Sequence, residues 1–223
     1  MGRRGKQARL GTTTELGRLL PTLATALSLL AALGCSAKPD PNTLVMIIEN
    51  SPTNLDPRVG LDAYSERIDS LIFDDLLTRD EHLNVQPQLA ERWETPDPLT
   101  YVFHLRRGVA FHDGSRLTSR DVKWTFDSLL QGKVIGTKAA VYRYVDHIET
   151  PDDWTVVFRL KEPFATLLWN LSDGAMGIVP YGSGHEISQS PIGSGPFRFV
   201  RAEQDEEVVL ESNHAYWGEK PHI

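Results

Sequence analysis

The sequence has little cysteine and no long hydrophobic run. Cys35 is the only cysteine among 223 residues, which excludes an internal disulfide. The stretch 19–34 contains no charged residue, but Pro21 interrupts it, and it is short for a helix that must cross about 30 Å of hydrocarbon. The sequence therefore does not predict a permanent transmembrane helix.

Patterns of metal ligands and catalytic nucleophiles are also missing. Ser183 and Ser194 both follow a glycine, but neither lies in a G-x-S-x-G nucleophile motif, and no Lys-Ser/Thr pair completes a phosphate-binding loop. The histidines form no pair at metal-binding spacing and have no cysteine beside them. They are dispersed at His82, His104, His112, His147, His185, His214 and His222. We predict no catalytic residue, no metal site and no cofactor.

Several polar and aromatic residues are assigned structural roles. His112 precedes Asp113-Gly114 and is interpreted as a turn residue. The acidic pairs Asp74-Asp75 and Asp152-Asp153 are interpreted as solvated surface, because general acid–base work would need carboxylates in a cleft. The tryptophans are expected mostly on buried faces of the core. They are Trp93, Trp124, Trp154, Trp169 and Trp217.

The first forty residues have the order of a signal peptide. Five basic residues between Arg3 and Arg18 precede the uncharged stretch. Small residues then lead to Cys35 in the run Ala-Ala-Leu-Gly-Cys, which resembles a bacterial lipobox, whose cysteine is acylated and becomes the new N-terminus. We predict a signal peptide at 1–34 and a lipid-anchored tether at 35–42. The alternative is an ordinary signal peptide with an incidental cysteine.

The chain is acidic, with a net charge of −7. Removal of residues 1–34 would take away five basic residues and one acidic residue, which would change the net charge to −11. A protein that binds nucleic acid needs a basic stripe, so nucleic acid is excluded as a partner. The same acidity argues against adsorption to anionic lipid beyond the anchor itself.

The folded part is expected to begin near Thr43 and to mix helices with hairpins. Hydrophobic periodicity predicts both kinds of element, and Thr118 with Asp121 gives the capping signal of a helix. The fold class is α/β, mixed α+β. The predicted elements are a doubly buried strand at 44–48, helices at 64–77, after 118 and from 163, hairpins at 93–105 and 145–160, and strands at 197–200 and 208–210 around a solvated turn at 203–207.

Several ordered blocks resemble the extracytoplasmic solute-binding proteins of peptide and nickel ABC importers, family 5. The resemblance covers nearly all of 44–217. It is strongest in Pro-Gln-Leu-Ala-Glu-Arg-Trp-Glu at 87–94 and in the segments that follow it. The blocks lie at 54–57, 87–122, 191–197 and 213–217, and the longest of them contains the motifs at 101–106, 109–114 and 117–122.

The resemblance implies a two-lobe periplasmic-binding-protein-like fold with a smaller domain attached to the first lobe. Residues 43–54 and 180–223 would belong to the first lobe, and 55–179 to the smaller inserted domain. The second lobe is expected after Ile223. Only the loop Asn50, Ser51, Pro52, Thr53 and Asn54 matches a family segment that lines the cleft, where backbone hydrogen bonds would hold an extended peptide.

The implied function is binding, outside the cytoplasm, of a peptide or another small solute. The implied partners are an ABC permease and the ATPase subunits that bind ATP. Nickel chelates and sugars remain open as ligands. A cell-envelope sensor or interaction module on the same fold is an alternative, and an envelope hydrolase using Ser183 or His185 is a weaker one.

Overall fold

The computed structural model describes residues 42–174 and 176–223. The predicted signal peptide, most of the tether and Cys35 lie outside these residues. In the described part, no helix is both long and apolar enough to cross a membrane. Residues 42–44, which belong to a first unit ending at Leu44, contain neither helix nor strand. The paragraphs that follow concern the second unit, Val45–Ile223.

The second unit mixes short helices with antiparallel hairpins, as the sequence predicts. Strands β3, β4, β6 and β5 form one sheet in that order, while β1–β2 and β7–β8 are separate hairpins. In chain order, the elements are α1 (Ala63–Ile72), β1 (Leu77–Arg79), β2 (Val85–Pro87), β3 (Ala90–Asp97), β4 (Thr100–Leu105), α2 (Ser119–Leu130), β5 (Val145–Asp152), β6 (Thr155–Leu160), α3 (Leu167–Asn170), β7 (Phe197–Glu203) and β8 (Glu207–Ser212).

The four-stranded sheet confirms both predicted central hairpins. Phe103 on β4 pairs with Trp93 on β3 and with Val156 on β6, so the two hairpins join through their inner strands. Alternation along β4 buries Tyr101, Phe103 and Leu105 on one face. That face is the floor of the larger hydrophobic core.

Helix α2 covers the sheet and begins where its capping signal predicts. Asp121 Oδ2 accepts hydrogen bonds from the Thr118 backbone N–H at 2.7 Å and from its hydroxyl at 2.8 Å. One face of the helix buries Val122, Phe126 and Leu129. Phe126 meets Phe158 of β6 edge-to-face, with ring centroids 5.1 Å apart, so the helix and the sheet share one core.

Two helices are shorter than their periodicity predicts. Helix α1 ends at Ile72 rather than 77, because the Ile72 carbonyl accepts a hydrogen bond from Gly195 N at 2.8 Å and the chain becomes extended at Phe73. Helix α3 begins at Leu167 rather than at Pro163 and has only four residues. Gly174 follows it with a positive φ of 79°, as expected just past a helix end.

The predicted buried strand at 44–48 is wrong. The segment is neither helix nor strand, and its side chains are exposed apart from the half-buried Ile48, with 75% of Leu44 and 90% of Ile47 accessible. A strand needs a neighbour for its backbone hydrogen bonds, and no described strand pairs with this segment. The apolar run alone could not supply that neighbour.

The C-terminal hairpin β7–β8 forms as predicted, with a tighter connection. Glu203 pairs with Glu207, which leaves only residues 204–206 in the turn. Asp205 in this turn has a positive φ of 60°, and the whole turn is exposed. The acidic stretch is therefore solvated, in agreement with its composition.

The expectation that tryptophans lie mostly on faces of the core is confirmed for Trp93, Trp124 and Trp217, which pack against the core clusters, although none of the five is fully buried. Trp169 is exposed, and the other four are half-buried. Cationic side chains cover several of the rings: the Arg79 guanidinium lies 3.7 Å from the Trp169 centroid, and that of Arg106 lies 5.0 Å from Trp217. An amphipathic ring can pack one face and leave the other to a cation.

Candidate functional site

The predicted ligand-lining loop at 50–54 rests on the N-terminus of α1. Asp62, the N-cap of this helix, accepts hydrogen bonds from Tyr64 N and Ser65 N and also from the Thr53 hydroxyl. Burial alone would raise the pKa of Asp62, but hydrogen bonds from Ser65 and Thr53 lower it well below its usual range. The loop is therefore tied to a carboxylate that is ionised at neutral pH.

Some backbone donors of this loop are already used within the protein. Thr53 N and Asn54 N both donate to the Ser65 hydroxyl, at 3.0 and 3.2 Å. The Asn54 side chain in turn accepts from Asp56 N at 2.8 Å. A bound peptide could not take these two N–H groups without breaking those bonds, so they fix the loop rather than offer it to a ligand.

Side chains at the start of the loop contact two neighbouring elements. The Asn50 amide donates to the Tyr64 hydroxyl at 3.1 Å, and that hydroxyl donates to Glu49. Ser51 donates to the Asp205 carboxylate in the β7–β8 turn at 3.0 Å and accepts from Asp205 N at 3.1 Å. The structure thus brings the loop, α1 and the C-terminal hairpin together at one place.

The chain just after this loop is fixed by a buried ion pair. The Arg58 guanidinium makes two hydrogen bonds to the Asp56 carboxylate, at 2.9 and 2.8 Å, and both side chains are buried. Its remaining donors reach the Ser128 hydroxyl and the carbonyls of Ser183 and Gly184. The pair is well satisfied and joins this segment to α2. No sequence pattern pointed to these partners.

Asp74 is the centre of a buried hydrogen-bond network, so the surface interpretation of Asp74-Asp75 is wrong. Only 1% of Asp74 and 5% of Asp75 is exposed. The Asp74 carboxylate accepts from four side chains at 2.8–3.0 Å, and these donors offset the loss of water. They belong to Gln88, Ser194, Tyr216 and Trp217. By contrast, Asp152-Asp153 is exposed as expected.

Asp69 and Asp75 are buried without such compensation. Neither oxygen of Asp69 and one oxygen of Asp75 has a hydrogen-bond partner among the described residues. Burial, reinforced by nearby carboxylates, raises the pKa of each to about 8, although Lys138 acts in the opposite direction. Asp69 shares the buried face of α1 with Ile68 and Ile72, so the helical period offered a signal that was missed; Asp75 offered none.

His112 has the structural role that its turn position predicts. Gly193 N donates to Nδ1 at 3.3 Å, so Nε2 carries the proton and donates to the Gly195 carbonyl at 3.0 Å. Burial lowers the pKa of His112, which favours this neutral form. The histidine therefore joins the turn before Gly114 to the segment 193–195.

Neither of the two best-formed depressions among the described residues is lined by the 50–54 loop. These are open grooves of about 350 and 370 Å³, one lined by residues between 123 and 161 and the other by residues between 198 and 215. No group of three or more described histidine, cysteine, aspartate or glutamate residues is arranged to hold a metal ion.

This architecture is that of the two-lobe periplasmic binding proteins. The oligopeptide-binding protein AppA of Bacillus subtilis, solved with a nonapeptide, superposes with a TM-score of 0.70 at 29% identity, over 75% of this chain and 36% of that one. NikZ of Campylobacter jejuni, solved with Ni(L-His), gives 0.74 at 26% identity, over 81% and 37%.

The chain belongs to the bacterial extracellular solute-binding proteins, family 5, whose middle-region profile matches residues 84–223. A putative ABC transporter peptide-binding protein of Brucella ovis is 36% identical over 162 residues, which are 68% of this chain and 31% of that protein. AppA itself is 31% identical over 77% of this chain and 34% of its own length. The chain thus spans about a third of these relatives, which are binding proteins and not enzymes.

Proposed function

We propose that this chain is part of the solute-binding component of an ABC importer, which captures a peptide or a related small solute outside the cytoplasm. The bound solute is then passed to a permease driven by ATPase subunits that bind ATP. The observation that carries this proposal is the family match over residues 84–223. The absence of a catalytic motif in the sequence agrees with it.

The proposed ligand contact is the loop Asn50, Ser51, Pro52, Thr53 and Asn54. Its support is the resemblance of this loop to a cleft-lining segment, together with its fixed conformation, which lowers the entropy lost on binding. Asn50 and Thr53 are exposed, while the other three residues are half-buried. We expect the side chain of Asn50 and the carbonyls of the loop to contact the solute.

We also propose the domain limits and the export route that the sequence suggests. The smaller domain would comprise 55–179, which contains the whole four-stranded sheet, and 43–54 with 180–223 would belong to the first lobe.

Cys35 would carry the lipid after cleavage of residues 1–34. Labelling with radioactive palmitate in a bacterial host tests this: the label is expected in the wild type and lost in Cys35→Ser, and label retained by the variant would exclude acylation there.

Thermal-shift screening tests the binding function itself. Peptides, nickel chelates and sugars are added in turn, and a specific ligand is expected to raise Tm in a saturable way because it binds only the folded state. The relatives justify this range, since structures of family members contain a nonapeptide, a peptide of sequence STSA and Ni(L-His). We expect a peptide to give the largest shift; no saturable shift from any class would count against the proposal.

Variants of the loop connect that screen to the site. Asn50→Ala is expected to reduce the affinity for the best ligand several-fold without lowering Tm, because its side chain is exposed. Gln131→Ala, at another exposed polar position, serves as the matched control. The sensor alternative predicts that solute uptake continues after deletion of the gene, whereas the importer role predicts that it stops.

A further inference from the structure

Two aromatic side chains in contact, with a cation over each, lie along one side of α2. The Arg120 guanidinium lies 3.5 Å from the Tyr181 ring centroid, Tyr181 meets Trp124 edge-to-face at 5.2 Å, and Lys133 Nζ lies 4.8 Å from the Trp124 centroid. We call these four residues the cation–aromatic ladder. The ladder is held in place, because Trp124 Nε1 donates to the Ser183 carbonyl at 3.2 Å and Tyr181 N donates to Asp121 at 2.8 Å.

The charges of the ladder are not neutralised by ion pairs. Arg120 and Lys133 are exposed, and neither has a carboxylate within 4.0 Å among residues 42–174 and 176–223. The two acids of α2 are engaged elsewhere: Asp121 accepts from Tyr181 N and Thr118, and Asp127 forms an ion pair with Lys123 at 2.8 Å. The ladder is thus a local cationic surface on an acidic chain.

A solvent-exposed aliphatic residue stands beside this surface. Ile135, in the turn after α2, is 91% exposed, and half of Tyr181 is exposed as well. The turn is fixed at both ends: Val134 N donates to Ser128 O at 2.9 Å, and Gly136 packs so closely on Arg58 O that a Cβ would lie 2.7 Å from it. An exposed isoleucine on such a fixed turn has a defined position relative to Lys133.

We propose that the cation–aromatic ladder and Ile135 form a contact surface for an anionic lipid bilayer. Cations attract anionic headgroups, tyrosine and tryptophan favour the headgroup region, and an exposed isoleucine can enter the acyl boundary. The net charge of −7 opposes general adsorption, so the contact would be made by a local cationic patch such as this one. The inference goes beyond solute binding. Like the proposed export, it places the chain outside the cytoplasm.

The proposed anchor would make a weak contact effective. A tether of eight residues, 35–42, spans at most ~30 Å even when fully extended. A lipid on Cys35 would therefore hold the folded part close to the bilayer, where a low-affinity patch is still occupied at high effective concentration. An acidic protein surface is the competing partner, and the experiment separates the two.

The test uses a polarity-sensitive fluorophore in the full chain. Cys35→Ser removes the native thiol, and Ile135→Cys places the label on the turn. Leu83→Cys, at another exposed apolar position in the turn between β1 and β2, is the matched control and carries the same leader. Because these variants lack the proposed anchor, vesicles of equal parts phosphatidylglycerol and phosphatidylcholine are titrated to millimolar lipid, which replaces the effective concentration of the tether. We expect a blue shift at 135 and not at 83. Phosphatidylcholine vesicles alone should give none.

Charge variants complete the experiment. Arg120→Gln and Lys133→Gln are each expected to weaken the response at position 135 several-fold, and high salt should do the same. Circular dichroism checks that each variant is folded. Lys133→Gln serves as the second variant because the side chain of Lys133 is exposed, so its replacement does not alter the core. Equal responses at 135 and 83, no response at 135, or an equal response to phosphatidylcholine would overturn the proposal. A shift produced by soluble polyglutamate would also overturn it, in favour of an acidic protein partner.

Discussion

Two regions of the molecule with similar apolar sequences have very different surroundings. In the sheet region, residues 76–178, Phe103 and Phe158 are fully buried in the larger core. In the peripheral region, residues 45–75 with 191–223, Ile47 and Val200 are exposed. The sheet region closes its core with its own hairpins and α2, whereas the peripheral region has no described partner for its outer side chains. An apolar strand pattern therefore indicates burial only where the chain also supplies the neighbour.

The largest expected effect sharpens this contrast from the core side. Phe158→Ala removes a buried ring that contacts Phe103 and Phe126 at centroid distances of 5.4 and 5.1 Å. We expect a loss of about 3–5 kcal/mol in the free energy of unfolding, measured by urea denaturation. Phe199→Ala in the half-buried β7 position is the control and should lose less than half as much. Equal losses would mean that the two regions are equally packed.

The next prediction concerns the connection between the regions. The Asp74 carboxylate accepts four hydrogen bonds. In Asp74→Asn, one of its oxygens is replaced by an NH2 group, which cannot accept the bonds of the donors that face it. We expect a loss of about 2–4 kcal/mol, seen as a lower urea midpoint. Asp153→Asn, at an exposed turn position, should change stability by less than about 0.5 kcal/mol. A neutral Asp74→Asn would show that the network does not join the regions.

Backbone contact within the peripheral region, between Gly193 and the end of α1, gives a third, smaller effect. A Cβ on Gly193 would lie 2.0 Å from the Ile72 carbonyl oxygen, so Gly193→Ala must displace the segment that ends α1. We expect a loss of about 1–3 kcal/mol. Gly114→Ala is a useful comparison, because its φ of +86° strains any side chain while nothing lies within 4 Å. Gly193 has no positive φ, so a loss there must come from the contact, and unchanged stability of Gly193→Ala would contradict the close approach.

Titration of Asp69 and Asp75 makes the free energy of unfolding depend on pH. The sign of this dependence is opposite to that of an ion-paired carboxylate. Their folded pKa of about 8 exceeds the ordinary value of 3.8, so between these values the folded state holds protons that the unfolded state releases. Stability must then fall as pH rises from about 4 to about 8. From about pH 5.5 to about pH 7 we expect a loss of about 2 kcal/mol for each of the two carboxyls.

Asp69→Asn tests that dependence directly. The amide cannot ionise, so the variant should be more stable than the wild type at about pH 7 and should show a shallower decline with pH. Asp97→Asn, an exposed carboxylate, serves as the control. A wild-type stability that rises over this pH range would contradict the assignment of protonated, buried carboxyls.

The smallest expected effect lies on the peripheral surface. Val200→Ser replaces an exposed apolar side chain on β7 and should change the free energy of unfolding by less than about 0.5 kcal/mol. The measurement is again the urea midpoint, with Val156→Ser in the buried β6 position as the contrasting variant. A large loss at 200 would indicate that the hairpin face is covered in solution.

The sequence predicted elements whose determinants are local and missed those set by distant contacts. The two central hairpins and the Thr118 cap depend on neighbours a few residues away, and they were found. The end of α1 depends on Gly195, more than a hundred residues later, and no periodicity of 64–77 contains that information. The strand predicted at 44–48 failed for the same reason.

The candidate site was predictable only through resemblance. Nothing in the composition of Asn50-Ser51-Pro52-Thr53-Asn54 marks it as more than a polar loop, and its role as a ligand contact stays a prediction. The burial of Asp74 was not predictable from an acidic pair, because its donors Ser194, Tyr216 and Trp217 come from another part of the chain. A short stretch of sequence shows the charge of Asp74 but not the distant residues that donate hydrogen bonds to it.

The separation of Asp74 from its donors also has a consequence during synthesis. Ser194 follows it by 120 residues and Trp217 by 143, so the chain of the sheet region is complete before these donors emerge. Until then the carboxylate stays hydrated and the core around it is open to water on that side. Closure of such a long loop is a slow, late step, so a nascent chain paused before residue 194 would present this unfinished edge to chaperones and proteases.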